Sequence, residues 1–286
     1  MVKNLREYIK EAEQNKTAIG HFNISNLEIL WSVFNAARSL ELPVIIGVSE
    51  GERDFIGLRQ AVALVKSLRE EYNYPIFINA DHSYSFERVR AAIDAGCDMV
   101  IFDGAELPID KNIEETKKCV EYARKTNPDI LVEGELGFIG KSSKLIEELP
   151  KGVSLETQTN PTDAIRFVKE TEIDLFAPSV GNVHGLIKSG NPNLNIERIK
   201  AIKDAVKIPL VLHGGSGISD KDFQEAIASG IEMVHISTEL RLAYQNSLKL
   251  SLQENPDETT PYKIMKPVVL AVEKVVDHKL RVFNKI

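Results

Sequence analysis

Three of the six histidines in this chain stand where they suggest chemistry. His82 follows the run Ile76–Asp81, His213 closes the run Ile208–His213, and His184 lies in the turn Val180–Gly185. Three imidazoles with one position left open make a catalytic metal site, most often for zinc. A single loop histidine is ordinarily just a hydrogen-bonded residue. Three of them, with glycine-rich surroundings at Val180–Gly185 and His213–Gly217, favour an ion, although no short H-E-x-x-H pair is present. Asp81 adjoins one candidate ligand. It reads as a general acid–base or as a carboxylate that orients an imidazole. Asp103 and Glu135 end neighbouring runs and offer a second or alternative ion position, or a helix cap. Glu133 and Glu135 share parity, so both face one side of their strand. Two like charges on one face require a cation or a raised pKa.

A second group of residues is suited to anions. His213–Gly217 reads H-G-G-S-G, and glycines let backbone N–H groups approach an anion closely. Ser237 and Thr238 open the helix that follows the last apolar run, and a helix N-terminus is an anion site. Together these loops indicate a phosphorylated substrate. Lysine placement argues against Schiff-base chemistry. None of the apolar runs contains one, and Lys16 and Lys207 precede their runs, at the wrong end.

The residues depend on a repeating frame. Eight apolar, mostly β-branched runs recur: 17–23, 44–49, 76–81, 99–103, 130–135, 173–179, 208–213 and 233–238. Several are continuous rather than alternating, as parallel strands covered on both faces require. Amphipathic stretches intervene. Leu27, Leu30, Phe34 and Ala37 share a helical face. Ser85 caps a helix striped by Phe86, Val89 and Ile93, with Gly96 as its stop. Asn160–Pro161 reads as a cap with first-turn proline. Ser219 with Asp222 resembles a capping box, and Gly230 closes that helix. Eight strand–helix units suit a closed (β/α)8 TIM barrel, whose catalytic groups gather where strands end. Asn23 and Ser49 end the first two runs and join the candidates. An open doubly wound sheet is the alternative, but no G-x-G-x-x-G follows the first strand. The stretch 137–160 is long for a connection and reads as a mobile active-site loop on a single domain spanning 1–286.

Composition narrows the setting. The 286 residues are 43% hydrophobic and 27% charged, which is ordinary for a globular chain and disfavours disorder. A net charge of −7 disfavours general nucleic-acid binding. No apolar run is long enough for a bilayer. The charged stretch 1–14 lacks an apolar signal core, so a cytoplasmic location is expected. Cys97 and Cys119 make no disulfide framework and are expected to be buried thiols.

Taken in order, several segments resemble class II, metal-dependent ketose-bisphosphate aldolases. They are Phe22–Asn26, Val48–Gly51, Ala80–Ser83 (A-D-H-S), Phe102–Ala105 (F-D-G-A), Val132–Gly137 (V-E-G-E-L-G), Val180–Gly185 (V-G-N-V-H-G), Leu212–Gly217 (L-H-G-G-S-G) and Leu280–Phe283. The resemblance covers nearly the whole chain. It implies a TIM barrel that reversibly cleaves fructose 1,6-bisphosphate into dihydroxyacetone phosphate and glyceraldehyde 3-phosphate, as in glycolysis and gluconeogenesis. It also implies that His82, His184 and His213 hold a catalytic zinc, that Asp81 exchanges the C4 hydroxyl proton, and that Asp103 and Glu135 form or stabilise a second metal position. Gly185, Gly214, Ser216 and Thr238 would hold the ketone-side phosphate, with Asn23, Ser49, His235 and Ser237 completing the substrate set. A second divalent ion, a sodium or potassium ion and a homodimer or homotetramer are further implications.

Four departures stand out. Ser83 replaces the glycine usual after D-H. The family's N-x-D-T appears as His235–Thr238 (H-I-S-T). His21 replaces a small residue. The acid usual soon after E-L-G-x-x-G-G is absent there: Gly140 is followed by Lys141–Lys144 (K-S-S-K), and Glu147 and Glu148 come later, so that the C3 proton falls to Glu147, to Glu148 or to neither. These changes leave two alternatives: another phosphorylated ketose such as tagatose 1,6-bisphosphate or a deoxy-sugar acid phosphate, or a sugar-phosphate-binding homologue without turnover.

Overall fold

A computed structural model describes residues 2–140, 144–147, 153–154, 156–188 and 193–286. In chain order the elements are α1 (Leu5–Asn15), β1 (Ile19–Asn23), α2 (Leu27–Ser39), β2 (Val44–Val48), α3 (Glu50–Ile56), α4 (Leu58–Tyr72) and β3 (Ile76–Ser83). There follow α5 (Phe86–Ala95), β4 (Met99–Phe102), α6 (Ile109–Thr126), β5 (Leu131–Leu136), β6 (Leu145–Ile146), α7 (Pro161–Thr171), β7 (Leu175–Pro178) and β8 (Leu186–Ile187). The chain ends with α8 (Ile196–Val206), β9 (Leu210–Leu212), α9 (Asp220–Ala228), β10 (Ile231–Ile236), α10 (Thr238–Glu254) and α11 (Pro261–Asn284). Eight of the strands, in the order β1-β10-β9-β7-β5-β4-β3-β2, close a barrel in which every pair is parallel. The expected (β/α)8 barrel is thus the architecture, and each of its eight strands overlaps one of the eight apolar runs, with β3 and β5 running past the end of theirs and β10 starting before its own.

Local chemistry sets the ends of the helices. Asn4 accepts from the Glu7 N–H while Glu7 accepts from the Asn4 N–H, a reciprocal cap that starts α1. Ser85 accepts from Arg88 to start α5, and Gly96, at φ 90°, ends it in the left-handed region open to glycine. Asn160 accepts from Thr162 ahead of Pro161. Ser219 accepts from the Asp222 N–H, the forward half of the expected box. Leu30, Phe34 and Ala37 are buried, while Leu27 is half exposed at the first turn of α2. It starts the helix beyond the edge of the packed face.

The core has two parts. The larger one lies between the strands and the helices, with Phe34, Phe102, Phe167, Phe176 and Phe223 fully enclosed. The second fills the N-terminal end of the barrel interior. There Ile19, Ile45, Phe77, Met99, Leu131, Leu175, Val211 and Met233, one from each barrel strand, pack on Leu5, Ile9 and Ala12 of α1. The helix is a plug under the barrel floor. Side chains two residues further along a strand face the same way. At five of the eight strands that step replaces the apolar floor with His21, Asn79, Glu133, His213 and His235, all buried, while Gly47, Ile101 and Ala177 fill the other three. A further step reaches Asn23, Asp81, Glu135 and Ser237. The interior therefore turns from apolar to polar within one period of the strands.

Two short strands, β6 and β8, pair outside the barrel. They tie part of the stretch 137–160 to the loop after β7. The rest of that stretch, residues 141–143, 148–152 and 155, lies outside the described residues, so the expected loop is seen only in part.

Candidate functional site

His82, His184 and His213 converge from three strand ends. One nitrogen from each lies within 4.8 Å of the others. The ring centroids are 4.9 Å apart for His82 and His184 and 4.8 Å for His82 and His213. β3 aims His82 by an irregularity. Its register with β4 shifts between Ala80 and Ser83, and His82 itself takes φ 44°. A positive φ in a non-glycine residue is uncommon and here re-aims a side chain at the barrel mouth.

Each ring has one nitrogen engaged and the other turned inward. His82 Nδ1 donates to Asp103 Oδ2 at 2.8 Å. His184 Nδ1 donates to the Gly140 carbonyl at 2.7 Å. His213 Nε2 is bonded to the buried Glu133 carboxylate at 2.5 Å, which leaves its Nδ1 without a partner. Imidazole ligands are ordinarily oriented in this way by a carboxylate or carbonyl on the far nitrogen. Oxygens of Asp81 and Glu135 are likewise buried and unpartnered. Buried polar atoms rarely lack partners, so these inward-facing atoms fit a divalent ion. Asp103 and Glu135 also converge with His82 on its other side, where Glu135 Oε2 is 3.6 Å from His82 Nδ1. This is the second position that the sequence suggests. Asp103 additionally accepts from the Ala105 N–H, a turn within its own loop; the next helix, α6, is preceded by Pro108 and has no side-chain cap, so Asp103 does not cap it.

The electrostatics follow from burial and proximity. Burial pushes Asp81 up, but His82 and His235 outweigh it and hold the carboxyl well below its usual range. It is ionised and able to accept a proton. Burial, with Asp103 adding to it, pushes Glu135 up to about 8. Burial opposes charge on His82, yet Asp81, Asp103 and Glu135 hold it well above its usual value. His184 is lowered to about 3 by burial and by its two histidine neighbours, so it is neutral. The raised pKa foreseen for the glutamate pair is found on Glu135.

The remaining candidates surround this centre. Asn23, Ser49, Asp81 and His235 line one cleft with the three histidines. Gly185, Gly214, Ser216, Ser237 and Thr238 form its other wall. Gly214 takes φ 60°, and a Cβ there would meet the Val183 carbonyl oxygen at 2.2 Å, so this turn requires glycine. Ser237 precedes α10, a helix of 17 residues, and makes no side-chain cap bond; its hydroxyl is buried without a partner. The start of α10 faces this wall as an anion-favouring helix end, with its Glu239 N–H donating to the Ser216 hydroxyl and the Glu239 carboxylate accepting from the Gly217 N–H. Glu147 is exposed and pairs with Lys188, while Glu148 lies outside the described residues.

Several residues escaped the sequence reading. Asn23 Nδ2 bridges Asp81 Oδ2 at 2.8 Å and Glu52 Oε2 at 3.0 Å. Glu52 also accepts from the Ser49 N–H and hydroxyl and pairs with Arg241. Arg53 is buried and holds the Val48 and Asp81 carbonyls and the Ser83 hydroxyl. The S-x-x-E spacing of Ser49–Glu52 was a readable signal for Glu52. Arg53 carried none, because a buried arginine bonded to carbonyls looks in sequence like any helix arginine.

This arrangement has counterparts. The family model for class-II fructose-bisphosphate aldolase matches residues 3–286. A fructose-bisphosphate aldolase of Geobacillus stearothermophilus is 37% identical over 284 residues, 98% of this chain and 96% of its own. A probable fructose-bisphosphate aldolase of Bacillus subtilis is 35% identical, covering 98% and 97%. Among solved structures, the YdjI aldolase of Escherichia coli K12 superposes with a TM-score of 0.82 at 30% identity, covering 99% of this chain and 97% of its own. With a full-length match to the family and inward donors that suit a divalent ion, the chain belongs to the class-II fructose-bisphosphate aldolases, which are metal-dependent carbon–carbon lyases.

Proposed function

We propose that this enzyme reversibly cleaves fructose 1,6-bisphosphate to dihydroxyacetone phosphate and glyceraldehyde 3-phosphate, with zinc held by His82, His184 and His213. The observation that carries the reading is the meeting of those three imidazoles with ionised Asp81 beside a glycine-rich, helix-tipped wall. When bound, the ion supplies a Lewis acid for the ketone oxygen. The chain does the rest. Gly185, Gly214, Ser216 and Thr238, with the start of α10, anchor the ketone-side phosphate. Ser49, His235 and Ser237 contact the hydroxyl-bearing part of the sugar. Asp81 accepts the C4 hydroxyl proton as C4 becomes the aldehyde carbonyl and the C3–C4 bonding pair passes to C3 and the adjoining ketone. A second acid then protonates C3 to give dihydroxyacetone phosphate. Asn23 holds the second carboxylate oxygen of Asp81 so that Oδ1 faces the cleft. In the reverse direction Asp81 returns that proton. Asp103 and Glu135 serve the second ion position, and a sodium or potassium ion accompanies the phosphate.

The test is chelation followed by restoration. Cleavage is expected to vanish on verified metal removal and to return with zinc; full activity in the stripped protein overturns the reading.

A second phosphorylated ketose, such as tagatose 1,6-bisphosphate, is favoured by one observation. His235 and Ser237, with no hydrogen bond on either ring nitrogen or on the hydroxyl, stand where the related pattern has Asn and Asp. A substrate panel compared by kcat/KM decides between them. We further assign a single domain, with the described part of 137–160 as an active-site loop. We also assign a homodimer or homotetramer and, from two buried free thiols, a cytoplasmic setting.

A further inference from the structure

The polar layer above the barrel floor contains a column of three rings. His21 of β1 stacks on His235 of β10 with centroids 3.5 Å apart and planes 6° from parallel. His235 stacks in turn on His213 at 4.1 Å and 23°. The outer two rings are tied down. Glu133 bonds His213 Nε2 at 2.5 Å, and Asn79 Nδ2 donates to His21 Nε2 at 3.1 Å. His21 also occupies a recess that exists because β2 has glycine opposite it. A Cβ on Gly47 would come within 2.1 Å of His21 Cε1. The middle ring has no such tie, since neither nitrogen of His235 makes a hydrogen bond although the residue is only 5% exposed. Its orientation is set by the rings on either side.

The edges of that middle ring face the chemistry. His235 Nδ1 is 3.4 Å from Asp81 Oδ1, and its Nε2 is 4.0 Å from Glu133 Oε2. His21, Asp81 and His235 are close enough to be mistaken for an ion site. The stack argues otherwise. Two rings 3.5 Å apart and nearly parallel direct their lone pairs along parallel lines, so no ion can lie in both ring planes.

We propose that His21 is a positioning residue for the aldol reaction, acting through His235 by holding that ring between Asp81 and Glu133 so that His235 Nδ1 and Asp81 Oδ1 present one hydrogen-bonding pair to a substrate hydroxyl. This rests on the aldolase reading above. It also explains why the two departures at positions 21 and 235 touch each other: the second ring needs the first. The interaction is one of placement. A ring free to tilt misdirects its nitrogen, and small misplacements near reacting atoms cost rate and affinity.

A double-variant cycle tests it, using zinc-saturated enzyme with His21→Ala, His235→Asn and both. His21→Ala is expected to raise KM about tenfold with a much smaller change in kcat and unchanged zinc stoichiometry. The double variant is expected to be within about twofold of His235→Asn in kcat/KM, because residues acting as a unit are not additive. Multiplying losses overturn the proposal, as does an unchanged KM in His21→Ala. His21→Phe, which keeps a flat ring in the Gly47 recess, should recover most of the lost KM; impairment equal to that of His21→Ala overturns it. The ring-proton NMR signals of His235 are read in parallel. They should move when His21→Ala removes the ring above them, and unmoved signals in a folded variant refute the stack. That measurement needs no turnover. If the wild-type chain cleaves no ketose phosphate, the functional reading falls, while the placement of His235 by His21 is still decided.

Discussion

Asp81 and its neighbours determine what this site can do. Asp81 is ionised despite burial because His82 and His235 face it. Replacing it with alanine should leave metal bound and lower kcat by roughly 10²–10⁴, the usual weight of an acid–base group. Normal turnover in that variant, measured beside its metal content, removes the assigned role. Glu135 gives a pH dependence. Its carboxyl, up to about 8 through burial and then Asp103, is protonated in the ion-free chain at neutral pH. An ion entering beside it displaces that proton, so apparent divalent-ion affinity should climb as pH rises towards about 8 and level off above it. Competition titrations across that range should show a flatter rise in Glu135→Gln; an unchanged profile contradicts the linkage. Much of this was legible in the sequence. The shared parity of Glu133 and Glu135 placed both in the interior, and the three histidines at separate exits meet as expected. His21 was noted only as a departure and Asn79 was missed, because both lie two residues before recognised tips, Asn23 and Asp81. The same period of two that oriented the glutamates also turns them inward. Their burial depends on Gly47 and on a partner strand, which local reading does not supply.

The strands and helices show where pattern suffices and where it does not. Runs of β-branched residues bounded by caps located all eight barrel strands. β6 and β8 were not foreseen, since two-residue strands carry no periodicity. Their pairing matters, however. Leu186 N–H bonds to the Lys144 carbonyl, Lys188 N–H to that of Ile146, and His184 N–H to that of Ile139. The loop after β5 and the loop bearing His184 are therefore laced together, so displacement of one carries the other. α1 was read only as a charged N-terminal stretch. It is an amphipathic plug whose Ile9 is 3% exposed on the barrel floor. Ile9→Ala should cost ~2–5 kcal/mol of stability, as buried large-to-small changes do, and leave kcat/KM of the remaining folded enzyme unaltered. Denaturant unfolding with parallel kinetics checks this; a loss of activity without a loss of stability contradicts the plug's purely structural role.

The assembled barrel divides its labour along one axis. At the N-terminal end eight apolar side chains and α1 supply cohesion; at the other end glycine turns and helix starts supply binding. Closing a barrel brings residues as far apart in sequence as Asn23 and Ser237 to one cleft. No single stretch of chain therefore resembles a site, and only the ordered set does. The polar layer between the two ends has a consequence of its own. Among the described residues nine buried side-chain atoms lack a hydrogen-bond partner, six of them on His21, Asn79, Glu133, His213 and His235, and the other three one step further on Asp81, Glu135 and Ser237. Each unpaired group costs folding free energy. Apolar replacements of similar shape there would make a hardier chain, and an inert one. A laboratory screen rewarding heat resistance alone would therefore erode this middle tier before any other part of the protein.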